Sequence, residues 1–311
     1  MDFKGKSILT MNDFSREDIE HVLKVADGFG DVKRKRLNIL KDYVLAVLFF
    51  TPSTRTRLSF ESAMQRLGGG VLGFADPGGT RAGESEPLDD TIRVVESYAD
   101  VIAMRHNAWG AAAQAASCVH IPILNGGDGA NEHPTQALLD LYTIKKLRGR
   151  IDGLKIALVG DLFHLRTLRS LVLGLTRYDV EMYLISPEDL KLKKDVMGVV
   201  EKRGVKVKEL TSYEEVIDQV DILYTDYFPK VRFEDLNQYE KHKMKYRFKR
   251  ESFRKVKDDF ILLHPMPRKD NVGYQIFPDV DEASYAHYFQ QVYSGVLVRM
   301  ALLALVLGEI E

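Results

Sequence analysis

The sequence predicts an α/β protein of two doubly wound parallel-sheet domains, and three observations carry that prediction. Short apolar runs of strand length alternate with segments of helical spacing along the whole chain, the pattern of parallel strands joined by crossover helices. The alternation resets around Arg148 to Gly153 and then starts again. Polar residues gather just after the apolar runs, and in a parallel sheet those carboxyl ends share the edge where ligands bind. The expected domains are 1–149 and 150–287, with 288–311 as a closing helix that returns to the first domain. The site is expected between the two domains.

Taken in order, Asn12 to Leu40 reads as helical, with Asn12 or Ser15 as caps and Ile19, Val22, Leu23 and Val25 on an apolar face. The DVKRKR run reads as its solvated end. Next comes the most informative stretch, Val44 to Gly70. VLAVLFF is a buried strand, Thr51-Pro52 breaks it, and Leu58, Ala63, Met64 and Leu67 recur at helical spacing until the glycines. The turn between, Ser53-Thr54-Arg55-Thr56-Arg57, brings hydroxyls, helix N–H groups, the positive end of the helix dipole and a guanidinium to one small volume. That combination suits a phosphate. An ordinary N-cap by Ser53 or Thr54, with solvated arginines, is the competing reading.

VLGFADPGGTRAGESEPLDD reads as a strand and a loop longer than a connection needs. Thr91 to Tyr98 is a helix, Val101 to Met104 a strand ending at Arg105-His106, GAAAQAASCV a helix, IPILN a strand, GGDGANEHP a loop, and Pro134 to Leu147 a long helix. The second half repeats the scheme with LKIALVG, a helix after Arg166, EMYLISP, a helix to Gly204, VKVKEL, a helix over Ser212 to Gln219, DILYTDY and ILLHPMPRKDN. The basic segment Lys241 to Lys257 reads as solvated loop and helix. Ala286 to Leu307 is a helix apolar on nearly all sides, which implies burial.

Composition narrows the function. The 311 residues are 45% hydrophobic and 29% charged with a net charge of −1, so the chain lacks the basic excess of a nucleic-acid binder. The single cysteine, Cys118, excludes an intrachain disulfide and a multi-cysteine metal site. No signal pattern and no apolar window near the ~18 residues of a membrane span are present, so a cytoplasmic location with no membrane partner is expected. No metal-ligand spacing, paired carboxylates or Ser-His-Asp order stands out. VGDL has one glycine where a dinucleotide fingerprint has three, and no cofactor is expected. What remains is an inventory rich in arginine, with Arg55, Arg105, Arg166 and Arg268 joined by Thr56, His133, Gln136 and His264. Such a set gathers anionic groups and stabilises developing charge.

The chain resembles the aspartate and ornithine transcarbamylase family, on its aspartate branch, from start to end. The resemblance rests on Ser53-Thr54-Arg55-Thr56-Arg57 with LSFESAMQRLGG, Met104-Arg105-His106, GDGANEHPTQALLDLYT, GDLxxxRT over Gly160 to Thr167, HPMPR over His264 to Arg268, and VRMALLALVLG. It implies carbamoyl transfer from carbamoyl phosphate to an amino acid, by default L-aspartate. Ser53, Thr54, Arg55 and Thr56 would bind the phosphate. Arg105, His133 and Gln136 would hold the carbamoyl group, with Thr56, Arg105 and His133 polarising its carbonyl. Arg166 and Thr167, with the main-chain carbonyls of Pro265 and Met266, would hold the acceptor. The resemblance also implies a homotrimer completed at subunit contacts, with pairing of trimers or a regulatory chain left open.

The departures lie on the acceptor side. The family's loop lysine before Gly-Glu is Ala82 here, its serine is Gly78, and Arg81 is the adjacent candidate replacement. Where the family has threonine-arginine-valine-glutamine, this chain has Asp226-Tyr227-Phe228-Pro229, so Tyr227 and Lys230 are the remaining acceptor candidates. A carboxylate at Asp226 is awkward beside a dicarboxylate. Three readings stay open on sequence alone: aspartate as acceptor, a different amine, or a catalytically weak binding subunit.

Overall fold

The structure is a computed structural model that describes residues 2–228, 235–270 and 273–310. It divides into two units, Met1–Tyr142 with Tyr293–Glu311, and Thr143–Val292. Each is built on one fully parallel sheet with helices in the crossovers, the predicted fold class.

In the first unit Ser15 starts helix α1 (Arg16–Gly28) through a capping box with Asp18, at 3.1 and 2.8 Å. The helix stops at Gly28 rather than running to Leu40, a correction to the sequence reading. Glycines at 28 and 30 end it, and four adjacent cations at 33–36 disfavour its continuation. Strand β1 (Val44–Phe49) follows, then α2 (Arg55–Arg66), β2 (Gly70–Phe74), α3 (Leu88–Glu96), β3 (Val101–His106), α4 (Ala111–Cys118), β4 (Ile123–Asp128) and α5 (Pro134–Arg148). The strand order is β2-β1-β3-β4. The direction in which strands are added therefore reverses between β1 and β3. Alternate strand residues such as Ala46, Leu48, Ile102 and Met104 pack with Ile92, Ala112 and Ala115 to form a core. The long loop before α3 condenses into two short 3-10 turns, Pro77–Gly79 and Arg81–Gly83.

The second unit contains β5 (Lys155–Val159), α6 (Arg166–Leu175), β6 (Glu181–Ile185), α7 (Lys194–Lys202), β7 (Lys206–Leu210), β8 (Ile222–Thr225), α8 (Leu236–Lys245), β9 (Ile261–Leu263) and a two-strand hairpin of β10 (Lys269–Asp270) and β11 (Gly273–Tyr274). Its sheet order is β7-β6-β5-β8-β9, with the reversal between β5 and β8. The helix expected over Ser212 to Gln219 is only a 3-10 turn, Tyr213–Glu215. Its apolar spacing nonetheless buries Tyr213, Val216, Ile217 and Val220. In the basic segment the aromatics Tyr246, Phe248 and Phe253 go into the core. That partition fits a solvated surface over a packed interior.

The closing helix α9 (Tyr288–Val306) begins in the second unit and from Tyr293 onward belongs to the first. Contrary to the sequence reading, which found no apolar window of membrane-span length, it is long and apolar enough to cross a membrane, but 72% of that window is buried inside the protein. Its last turn anchors the amino terminus, where the Gly5 N–H donates to the Val306 carbonyl at 2.8 Å.

Candidate active site

The reversal point of the first sheet is where β1 runs into the Ser53–Thr56 turn and β3 runs into Arg105. Thr54 is the N-cap residue of α2, in helical conformation and without a side-chain capping bond. The ordinary-cap reading therefore fails. Thr54 is exposed, Ser53 and Arg55 are half-buried and Thr56 is buried, at the end of the helix that favours anions.

Three of the predicted residues meet closely. The Arg105 guanidinium donates from Nε to the Gly126 carbonyl at 2.8 Å and from Nη2 to Thr56 Oγ1 at 2.8 Å. The same Nη2 faces His133 Nε2 at 3.1 Å, and Thr56 Oγ1 lies 3.3 Å from that nitrogen. A guanidinium can only donate, so Nε2 accepts and the ring proton sits on Nδ1. Nδ1 points at Thr135 Oγ1, 3.5 Å away, a hydroxyl able to support either tautomer. Glycine is required at 126: an added Cβ would come within 2.9 Å of the Met104 carbonyl.

The loop that carries His133 is held by buried carboxylates. Asp128 accepts from Asn125 Nδ2 at 2.9 Å, Gly110 N at 3.0 Å and Asn131 Nδ2 at 3.0 Å. Glu132 accepts from Met11 N at 2.8 Å and from the Thr10 hydroxyl. Gln136, on the first turn of α5, gives its amide Nε2 to Asp140 Oδ1 at 2.9 Å. Because a carboxylate takes only a proton donor, this contact turns the Gln136 carbonyl oxygen the other way.

Beneath the cluster lies Arg299 of α9, fully buried, donating to Thr135 Oγ1 at 3.2 Å and to the Gly295 carbonyl at 3.3 Å, with its guanidinium 5.0 Å from the Phe60 ring centre. Burial pushes its pKa down to about 9, with Asp140 opposing the shift. Sequence reasoning missed Thr135, Asp140 and Arg299. The signal was there for the last two, a single acid in ALLDLYT and a single base in VRMALLALV.

In the second unit the reversal point lies between β5 and β8; Arg166, Thr167 and Tyr227 follow those two strands, while Pro265 and Met266 follow β9. Arg166 and Thr167 open α6, whose N-cap is Leu165 without a side-chain bond. The Thr167 hydroxyl donates to Asp226 Oδ2, and Asp226 Oδ1 accepts the Tyr227 N–H at 2.8 Å. Asp226 is only 2% exposed. Tyr227 is half-buried, while Phe228 packs into the core against Tyr246, ring centres 5.5 Å apart. Pro229 and Lys230 lie outside the described residues. Pro265 is buried and Met266 has φ 59, with its N–H on His264 Nδ1 at 2.8 Å. His264 Nε2 then donates to Gln275 Oε1 at 3.0 Å, and Gln275 Nε2 donates to the Asp226 carbonyl at 2.7 Å and to Thr225 Oγ1 at 2.8 Å.

One member of that inventory, Arg268, and the neighbouring His106 are engaged in local structural contacts. Arg268 is bound to Asp281, with Nη2 to Oδ2 at 2.6 Å, and to the Tyr288 hydroxyl at 3.1 Å. The pair raises the Arg268 pKa and lowers that of Asp281 through their hydrogen bond. His106 accepts the Ala108 N–H on Nδ1 at 3.0 Å, and burial lowers its pKa. Arg81 is exposed and paired with Glu84 on its own turn.

Comparison with known proteins covers both units. Residues 6–146 match the family model described as aspartate/ornithine carbamoyltransferase, carbamoyl-P binding domain, and residues 152–306 match the corresponding Asp/Orn binding domain. The chain is 50% identical over 310 residues to the aspartate carbamoyltransferase catalytic subunit of Thermococcus kodakarensis, covering 99% of each chain. It is 46% identical over 301 residues to that of Archaeoglobus fulgidus, covering 96% of this chain and 98% of the other. Among solved structures it superposes on the catalytic subunit of M. jannaschii aspartate transcarbamoylase with a TM-score of 0.86 at 45% identity, covering 96% of each. Trypanosoma cruzi aspartate transcarbamoylase in complex with N-(phosphonacetyl)-L-aspartic acid gives 0.91 at 38% identity, covering 98% of this chain and 97% of that one.

Proposed function

The chain belongs to the aspartate/ornithine carbamoyltransferase family, and from that premise we propose how its own residues carry the reaction. The reaction is transfer of the carbamoyl group of carbamoyl phosphate to the amino group of L-aspartate, giving N-carbamoyl-L-aspartate and phosphate. The first unit supplies the donor groups. Ser53, Thr54, Arg55 and Thr56, at the uncapped start of α2, receive the phosphate. Arg105 and Thr56 present protons where the carbonyl oxygen lies. His133 joins them once its proton moves to Nε2, a change the Thr135 hydroxyl accommodates by reversing its own bond. The Gln136 carbonyl oxygen, aimed by Asp140, accepts from the carbamoyl NH2.

The second unit supplies the acceptor groups. Arg166 and Thr167 at the start of α6 receive a carboxylate, Tyr227 flanks it, and the Pro265 and Met266 carbonyls accept from the amine. The neutral amine attacks the carbonyl carbon and a C–N bond forms. The tetrahedral oxyanion is held by Arg105, Thr56 and His133. As it collapses the bond between that carbon and the bridging phosphate oxygen breaks, and phosphate leaves against Arg55 carrying a proton from the amine. Positioning and preorganised charge carry the rate, so no side-chain base is needed.

The observation that carries this reading is the meeting of Arg105, Thr56 and His133 within 2.8 to 3.3 Å at a reversal point of the sheet. A steady-state assay of N-carbamoyl-L-aspartate formation tests it: product is expected only with both substrates, and no product with aspartate would refute it. We infer a trimer as the working assembly, with the exposed Arg81 turn offered to a neighbour. Light scattering that returns a monomer would overturn that inference.

A further inference from the structure

We propose that Asp226 stands as a built-in carboxylate in the crevice where the acceptor's carboxylate is received, and so weakens and selects acceptor binding. This rests on the reading of Arg166 and Thr167 as the acceptor-carboxylate site. In a parallel sheet, ligands bind beyond the strand ends where the order reverses, here between β5 and β8. From β5 the chain passes through Gly160 to the start of α6, and from β8 it passes directly into Asp226. The two ends are pressed together: a Cβ on Gly160 (φ +144) would come within 2.8 Å of the Asp226 carbonyl.

The Asp226 side chain is aimed at the first turn of α6. Its Oδ2 takes the Thr167 hydroxyl proton and its Oδ1 the Tyr227 N–H. α6 has no capping side chain of its own, so the acid from the neighbouring strand end supplies the negative charge its amino terminus favours. The placement is held by Gln275, which fixes the Asp226 carbonyl and Thr225 and is itself fixed by the buried His264. A carboxylate arriving at Arg166 and Thr167 meets a like charge and a hydroxyl already committed. It binds without the Thr167 proton or displaces Asp226, and either course costs affinity.

Asp226→Asn removes the charge: its one oxygen stays with the Tyr227 N–H, and its amide donates to the Thr167 hydroxyl, which can accept. The expected result is a KM for aspartate lowered at least tenfold, with affinity for carbamoyl phosphate unchanged. A second measurement needs no variant: succinate, which is aspartate without its amine, and its monoamide succinamate are compared as inhibitors against aspartate. On this proposal the unmodified protein is expected to bind the monoamide within threefold of the diacid or more tightly. A diacid preference above threefold in the unmodified protein, or a KM lowered less than tenfold in a folded Asp226→Asn, overturns the inference. Arg166→Ala separates the two failures. If it leaves the KM for aspartate unchanged, the acceptor site itself is misplaced; if it raises the KM while Asp226→Asn does not lower it, only the role of Asp226 is refuted.

Discussion

Arg105→Lys keeps the positive charge and removes the planar fork, so it separates geometry from net charge at the centre of the proposed donor site. Arginine spans two acceptors at once, the Gly126 carbonyl from Nε and Thr56 Oγ1 from Nη2, each at 2.8 Å, while also facing His133 Nε2 at 3.1 Å. A lysine has one nitrogen on a flexible stem and cannot hold both positions. The Gly126 carbonyl loses its donor, a change worth about 1–3 kcal/mol in stability. The larger effect is catalytic. Removing one preorganised donor from a developing oxyanion costs about 2.7–4 kcal/mol, or roughly 10²–10³ in kcat. Saturating-aspartate kinetics with varied carbamoyl phosphate should show that loss in kcat, while Arg105→Ala should also weaken donor binding. A lysine variant within fivefold of the unmodified enzyme would refute the argument that the fork, rather than charge alone, stabilises the transition state.

Further outcomes follow from the surrounding contacts. Gly126→Ala forces a Cβ to 2.9 Å from the Met104 carbonyl and 3.4 Å from Thr56 Cγ2. Chemical denaturation should therefore show a loss of about 1–3 kcal/mol, and kinetics a raised KM for carbamoyl phosphate. Asp140→Ala frees the Gln136 amide to rotate, and about a tenfold loss in kcat/KM for carbamoyl phosphate is expected, near the worth of one hydrogen bond. Arg268→Met tests the acid-side stability. Its hydrogen bond lowers the folded pKa of Asp281 below the unfolded value, so the contribution is complete above about pH 4 and is lost as pH falls through the lowered value. With the two side chains 11% and 25% exposed, about 1.5 kcal/mol is expected at pH 7 after screening. The difference between variant and unmodified protein should shrink at pH 2.5; an equal difference at both would contradict the assignment.

Much of the fold was legible because the apolar runs are short and cleanly bounded, as at VLAVLFF before Pro52 and KIALV before Gly160. The meeting of Thr56, Arg105 and His133 was legible for the same reason. Those residues sit at or just after strand ends, which alone place them along one edge. What escaped were contacts between distant positions. Asp140 and Arg299 look like isolated polar residues in apolar helices until folding brings them under Gln136 and Thr135. Arg268 looks available to an anion until Asp281 is beside it. The length of α1 was overestimated because apolar spacing persists past Gly28, although a glycine pair and clustered cations end the helix. Asp226 was legible as a departure from the family pattern, but its burial and its hold on Thr167 were not.

The central claim is that Arg105, Thr56 and His133 form the cradle for the carbonyl of carbamoyl phosphate. Titration calorimetry of carbamoyl phosphate into the unmodified protein and into a folded Thr56→Val/His133→Ala double variant tests it most directly. The account predicts saturable binding to the first and at least a tenfold weaker affinity in the second. Equal affinity in the two proteins, or no binding to the unmodified one, would contradict it.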